Sequence, residues 1–291
     1  MVGMLGGINM KRSYTLLNIF CLLLIGGALF GTAWFSRGYI RNLISDRKNA
    51  DIPIAISRVE MEKKSEVKIP VLPTQVTSSV PVNDIPSSTP QVSSTPIQAE
   101  KPIPPEINLD VPFVPQAPEK NWDQPWQDAC EEAAILMMDA YYKDIVTSVG
   151  YDKEQILKMV TWEEDRNWGL SIEIEKIQQI FTEYLKLPTG HTTKIIENPT
   201  INQIKKYVAN AQPVYVVADG KTLPNPHFQN GGPEYHALVI RGYTKDSFIT
   251  NDPGTQFGQN FKYKYNDLMD AIHDWNGGDV VGGRPVVLVI E

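Results

Sequence analysis

The apolar and polar residues of this chain fall into three successive regimes. From Tyr14 to Phe35 almost every residue is apolar and none is charged, with Leu16, Leu17, Ile19, Phe20, Leu22, Leu23, Leu24, Ile25, Leu29 and Phe30 dominating. A run of about 20 such residues matches the hydrocarbon thickness of a bilayer. It predicts a short tail at 1–13 and a transmembrane signal anchor at 14–35. Gly31-Thr-Ala33 leaves a cleaved signal peptide as the alternative. Periodicity then disappears. Pro70, Pro73, Pro81, Pro86, Pro90, Pro96, Pro102, Pro104 and Pro105, with Ser and Thr between them, predict a largely disordered linker over 36–106. Such a composition cannot bury a core and stays extended.

From residue 107 onward the chain alternates like a folded domain, expected to span 107–291. Asn108 to Pro115 reads as an extended lead-in, since its prolines exclude a central strand. Asp128 is placed to cap a helix running to about Tyr142, and Glu131, three residues on, completes a capping-box-like pattern. Helices are expected over 152–163, over 171–185 on the stripe Ile174, Ile177, Ile180, Phe181 and Leu185, and from the capping box Thr200-Ile-Asn-Gln203 to about Ala211. The period then becomes extended. Strands are expected over 214–217, 235–243, 247–251, 261–265 and 285–290, with a helix capped by Asn266 and reaching Trp275. Helices first and strands afterwards is an α+β order.

Charge and cysteine content narrow the chemistry. The net charge of -7 argues against a nucleic-acid partner. Cys21 lies in the apolar run and Cys130 in the domain, so neither a disulfide framework nor a CxxC zinc site is expected, and no metal or cofactor is implied. Cys130 stands in the first turn of a helix, where unpaired N–H groups and the helix dipole favour an anion such as a thiolate.

The strands on either side of Thr244-Lys-Asp246 form an antiparallel hairpin. A turn centred near Thr244 sets His236 opposite Asp252 or one position away. A carboxylate there would hold the imidazole orientation and stabilise its charged form, leaving the other ring nitrogen for a thiol. Cys130, His236 and Asp252 are therefore candidates for nucleophile, base and orienting residue. An oxyanion hole would need the Cys130 backbone N–H and a side-chain amide, for which Gln116 and Gln124 are equal candidates. Asp128 and Glu131 are expected to build the helix end rather than to act as catalytic acids.

These residues carry a resemblance. Val111-Pro-Phe-Val-Pro-Gln116, Cys130-Glu-Glu-Ala-Ala-Ile-Leu-Met-Met138, His236-Ala-Leu-Val-Ile-Arg-Gly-Tyr243 and Phe248-Ile-Thr-Asn-Asp-Pro253 together resemble papain-like cysteine peptidases of the bacteriocin-processing type, the C-thirty-nine-like peptidase family. The resemblance covers roughly 107–291. It implies a papain-like α+β fold with the cysteine helix packed on an antiparallel sheet. It also implies Cys130, His236 and Asp252 as a triad acting on peptide or amide bonds through a thioacyl intermediate. The chain departs from the family's name-giving members in having no Walker-type GxxxxGK[ST] segment, and Glu131 follows the cysteine where many relatives have glycine.

With the anchor, the expectation is a single-pass membrane protein of a bacterial cell envelope, its catalytic domain outside the cytoplasm, or a secreted one if the segment is cleaved. Two alternatives share the fold: a non-catalytic envelope binding module, and an acyltransferase using the same triad.

Overall fold

The computed structural model describes residues 51–66 and 103–291. The expected tail, the anchor at 14–35 and most of the expected linker lie outside the described residues. Among the described residues no helix is long and apolar enough to cross a membrane.

A mixed arrangement of helices and one antiparallel sheet carries the site. Its strands are β1 (Ile107–Asn108), β2 (Thr193–Glu197), β3 (Val214–Asp219), β4 (Tyr235–Tyr243), β5 (Ser247–Asn251), β6 (Phe261–Lys264) and β7 (Val286–Ile290). They lie in the order β2-β7-β3-β4-β5-β6, with β1 paired to the end of β4. Every residue of β3, β4, β5 and β7 is buried. That explains why these strands read as near-continuous apolar runs rather than as strict alternation.

After α1 (Arg58–Glu66), the helix α2 (Cys130–Lys143) packs on β4 and β3. All of its residues except Lys143 are buried, so it is a central helix rather than an amphipathic surface one. Its start differs from the sequence expectation. Trp126–Asp128 forms a turn of 3-10 helix, Ala129 is the flanking residue, and no side chain caps α2. Asp128 is engaged elsewhere, accepting from Gln124 Nε2 at 2.5 Å.

The other helices show smaller shifts. α3 (Val149–Glu164) begins earlier than expected because the Ser148 side chain accepts from the Tyr151 N–H. α4 (Ile174–Gln179) passes into a π-helical stretch, Ile180–Leu185. α5 (Ile201–Ala209) carries the expected Thr200–Gln203 capping box. α6 (Tyr265–Ala271) has no side-chain cap from Asn266 and stops before Trp275. It stops because Ile272 bridges to Ala218 and the His273 N–H bonds to the Val217 carbonyl, turning the chain into extended backbone.

Two features were not expected. β2 was not anticipated, and pairs antiparallel along the whole of β7. Part of the stretch expected to be linker is also ordered against the domain. The Ile56 N–H bonds to the Asn108 carbonyl at 2.8 Å and the Asp110 N–H to the Ile56 carbonyl at 2.9 Å, while Arg58 pairs with Asp144 at 2.7 Å.

The β4–β5 hairpin also has a different register. Tyr243 pairs with Phe248 and Gly242 with Ile249, but Ile240 pairs with Thr250 and Val239 with Asn251. Arg241 is the extra residue, a bulge. Its buried guanidinium donates through Nε to Asn108 Oδ1 and the Leu109 carbonyl, and through a terminal nitrogen to Asn251 Oδ1. His236 and Asp252 are thus neither opposite nor one position apart. Extending the register sets Asp252 beside Leu238, with His236 two positions further along.

Candidate active site

Cys130 is the first residue of α2 and is 5% exposed. Its thiol donates to Glu131 Oε2 at 2.8 Å. Burial raises the thiol well above its ordinary pKa, and the Glu131 charge and hydrogen bond raise it further, while the Ala237 backbone N–H against the sulfur opposes them. The thiol is therefore protonated at neutral pH. The sequence expectation pointed the other way, from the helix dipole. The dipole is outweighed because the neighbours are carboxylates and the thiol is buried.

Glu131 belongs to a buried acidic group. Burial lifts its carboxyl to about 7, against the lowering effects of the Cys130 hydrogen bond and the His236 charge. Glu132 is raised well above normal by burial and then by Glu163 and Glu131. Glu163, on α3, is raised to about 8 by burial and then by Glu131, with Lys176 opposing. Glu131 Oε1, Glu132 Oε2 and Glu163 Oε1 are buried without a hydrogen-bond partner.

His236 lies near the start of β4, 1% exposed, with Nε2 2.8 Å from Asp252 Oδ1. An ionised carboxylate only accepts, so Nε2 donates to it, and in the neutral ring the lone pair is on Nδ1. Nδ1 is buried without a hydrogen-bond partner. The ring is fixed on two more sides. Phe228 meets it edge to face at 5.2 Å, and a Cβ on Gly254 would lie only 2.8 Å from its Cε1.

Asp252 is fully buried and its acceptor capacity is well used. Oδ1 also accepts from the Gly254 N–H at 3.0 Å, and Oδ2 accepts from Asn225 Nδ2 at 2.9 Å and the Tyr263 hydroxyl at 2.6 Å. Burial alone would raise its pKa. The His236 charge and the hydrogen bonds from His236, Tyr263 and Gly254 outweigh burial and lower it. Asp252 thus stays ionised.

The structure joins His236 to Asp252 directly. The Cys130 thiol bonds to Glu131 and not to His236. Thiol and imidazole share two neighbours: the Glu131 carboxyl, which feels the charge of His236, and the backbone of Ala237, the residue after His236.

The glutamines separate. Gln124 is exposed and taken up by Asp128. Gln116 is buried. Its Nε2 donates to the carbonyls of Trp126 and Gln127 at 3.0 and 2.9 Å, and its N–H bonds to the Pro253 carbonyl. Gln116 therefore ties the backbone before Cys130 to the loop after Asp252, and its amide protons are already spent on carbonyls.

Asn225, Tyr263, Phe228 and Gly254 were not foreseen as parts of the site, and Glu131 was expected only to build the helix end. Only Gly254 left a local sign, following Asp252-Pro253 in a turn. His227 stacks on Phe257 at 4.8 Å, and among the described residues no group of three His, Cys, Asp or Glu side chains could hold a metal ion.

The model of the Peptidase C39 like family matches residues 108–277, a span that includes Gln116, Cys130, His236 and Asp252. A crystal structure of a candidate C39-like peptidase from Bacillus anthracis is similar with a TM-score of 0.42 and 16% identity, over 64% of this chain and 98% of that one. No curated protein matches the sequence.

Proposed function

The chain belongs to the Peptidase C39 like family, and from that premise we propose that it is a papain-like cysteine peptidase using Cys130, His236 and Asp252. One observation carries the reading. His236 is held by an ionised, fully buried Asp252 through Nε2, leaving a buried and unpartnered Nδ1 on the strand against which the cysteine helix packs.

The chemistry follows from these groups. When the thiol turns from Glu131 toward His236, its proton passes to Nδ1 and Asp252 balances the imidazolium. The thiolate attacks the carbonyl carbon of a peptide or amide bond. The C–N bond then breaks, and the leaving amine takes the proton from the imidazolium. Water, deprotonated by Nδ1, attacks the thioester, the C–S bond breaks and the thiol is restored. The Cys130 backbone N–H, in a first helical turn without intrahelical partners, is one oxyanion donor. Gln116 acts by fixing the backbone that presents this N–H, because its own amide is bound to Trp126 and Gln127. We further propose that the run at 14–35 tethers the domain to a membrane, with peptide substrates met outside the cytoplasm; its length and lack of charge support this.

The test is cleavage of a peptide mixture by the full chain over about pH 5–8, read by mass spectrometry. Cys130→Ala is expected to abolish cleavage and His236→Ala to lower it by about 10²–10⁴-fold. Cleavage that survives Cys130→Ala sinks the reading. Products joined to an added amine instead of water identify an acyltransferase, and no product under any condition leaves a binding module.

A further inference from the structure

We propose that Glu131 governs the nucleophile: its ionised carboxylate parks the Cys130 thiol away from His236, and its protonated form releases it. The proposal rests on the reading of Cys130 and His236 given above. The geometry is specific. The thiol's hydrogen bond goes to Glu131 Oε2 at 2.8 Å, while the base that should receive its proton, His236 Nδ1, is buried and unpartnered. The other carboxyl oxygen, Glu131 Oε1, is unpartnered as well. One side chain thus occupies the thiol and leaves the base idle.

The groups facing Glu131 define the electrostatics. From α2 they are Cys130 and Glu132, and from α3 Glu163. From β3 comes Tyr215, whose hydroxyl donates to the Glu131 backbone carbonyl, and from β4 come Tyr235 and His236. Asp128 acts on Glu132, and Lys176 acts on Glu163. With Glu131 ionised, a thiolate 2.8 Å away would confront a second anion in a dry pocket, so the proton stays on sulfur. With Glu131 protonated, the carboxyl donates to sulfur instead. The thiol proton can then cross to His236 Nδ1, giving a thiolate, an imidazolium and a neutral carboxyl with no proton gained or lost. The burial that raises Glu131 places this change near neutral pH.

The experiment measures the rate of Cys130 alkylation by iodoacetamide on the full chain carrying Cys21→Ser, with folding followed by circular dichroism. The rate is expected to fall as pH rises from about 6 to 8, against the rise shown by an ordinary thiol. Glu131→Gln, which mimics the protonated carboxyl, is expected to abolish that fall and to react about tenfold faster than the parent near pH 8. Superimposable profiles for the parent and Glu131→Gln overturn the proposal, as does a parent rate that rises steadily through pH 8. If Glu131→Gln does not fold, the parent profile alone decides, a rate that rises steadily through pH 8 overturning the proposal. A Glu131→Gln rate indifferent to added His236→Ala instead removes His236 as the base. That result defeats the proposed function while leaving the hold on the thiol intact.

Discussion

Two buried carboxylates act on His236 from different parts of the fold, and their surroundings drive them in opposite directions. At the end of β5, Asp252 receives donors from His236, Gly254, Asn225 and Tyr263, and it is held below the usual carboxylate range. At the start of α2, Glu131 receives a thiol on one oxygen, has no partner on the other, and shares its pocket with Glu132 and Glu163; it is held above the usual range. Burial is equal and raises both. What separates them is how far burial is opposed: at Asp252 the His236 charge and the hydrogen bonds from His236, Tyr263 and Gly254 outweigh it, whereas at Glu131 the Cys130 and backbone hydrogen bonds and the His236 charge do not. Asp252 is surrounded by donors, whereas Glu131 lies beside two further buried acids.

The largest test of this contrast is Asp252→Asn. The amide can no longer accept at both ends, so its NH₂ group must face two of the four present donors. Peptide cleavage is expected to fall by about 10²-fold or more, and stability by about 1–3 kcal/mol for each donor left buried and unmade. Near-parental cleavage would mean that Asp252 only shapes the loop.

A second test concerns pH and stability. A carboxyl whose folded pKa is raised stabilises the fold below its unfolded value, and this stability is lost as pH rises through the folded one. For Glu163 that window runs from 4.5 to about 8. Urea unfolding at pH 5, 6, 7 and 8 is therefore expected to show stability falling with pH. Each raised group contributes at most about 1.4 kcal/mol per pH unit. Glu163→Gln is expected to flatten the slope by up to one group's share. Asp252 has the opposite sign: its stabilisation is present at neutral pH and is lost only as pH falls through its lowered pKa.

The smallest effect is expected from Tyr263→Phe. It removes one donor from Asp252 Oδ2 and leaves Asn225 Nδ2 in place. Stability should drop by about 1 kcal/mol in thermal unfolding, with cleavage reduced less than tenfold. A loss as deep as that of Asp252→Asn would show that the donors are not separable.

The contrast also marks what could be read from the sequence. β4 and β5 were legible because long apolar runs flank a short polar turn, and the pairing of His236 with Asp252 followed from their place at its open end. The register was not legible, because nothing in Ile240-Arg-Gly242 declares that Arg241 is an extra residue. β2 was missed because Thr193-Lys-Ile-Ile-Glu197 is short and only half-buried, and gains strand structure from its pairing with β7. Cys130 was legible as a candidate, but the direction of its pKa was not. Position at a helix start and the neighbouring Glu131 and Glu132 are local information, whereas the burial that raises the thiol most is tertiary. Asn225 and Tyr263 were invisible for the same reason, reaching Asp252 from a loop and from β6. Gln116 and Gln124 looked equivalent because both precede the cysteine, and only packing separated them.

The bulge at Arg241 makes the site depend on chain length as well as on chemistry. β4 meets β5 at one offset near the turn and at another beyond Arg241, and only the second brings Asp252 to His236. Side chains alternate faces with a period of two, so slipping the hairpin by one residue turns His236 or Asp252 to the wrong side of the sheet. A residue gained or lost between Arg241 and Ser247 has no neutral place to go. Over evolutionary time this hairpin can drift by substitution, but an insertion or deletion within it disconnects the histidine from its acid in a single step.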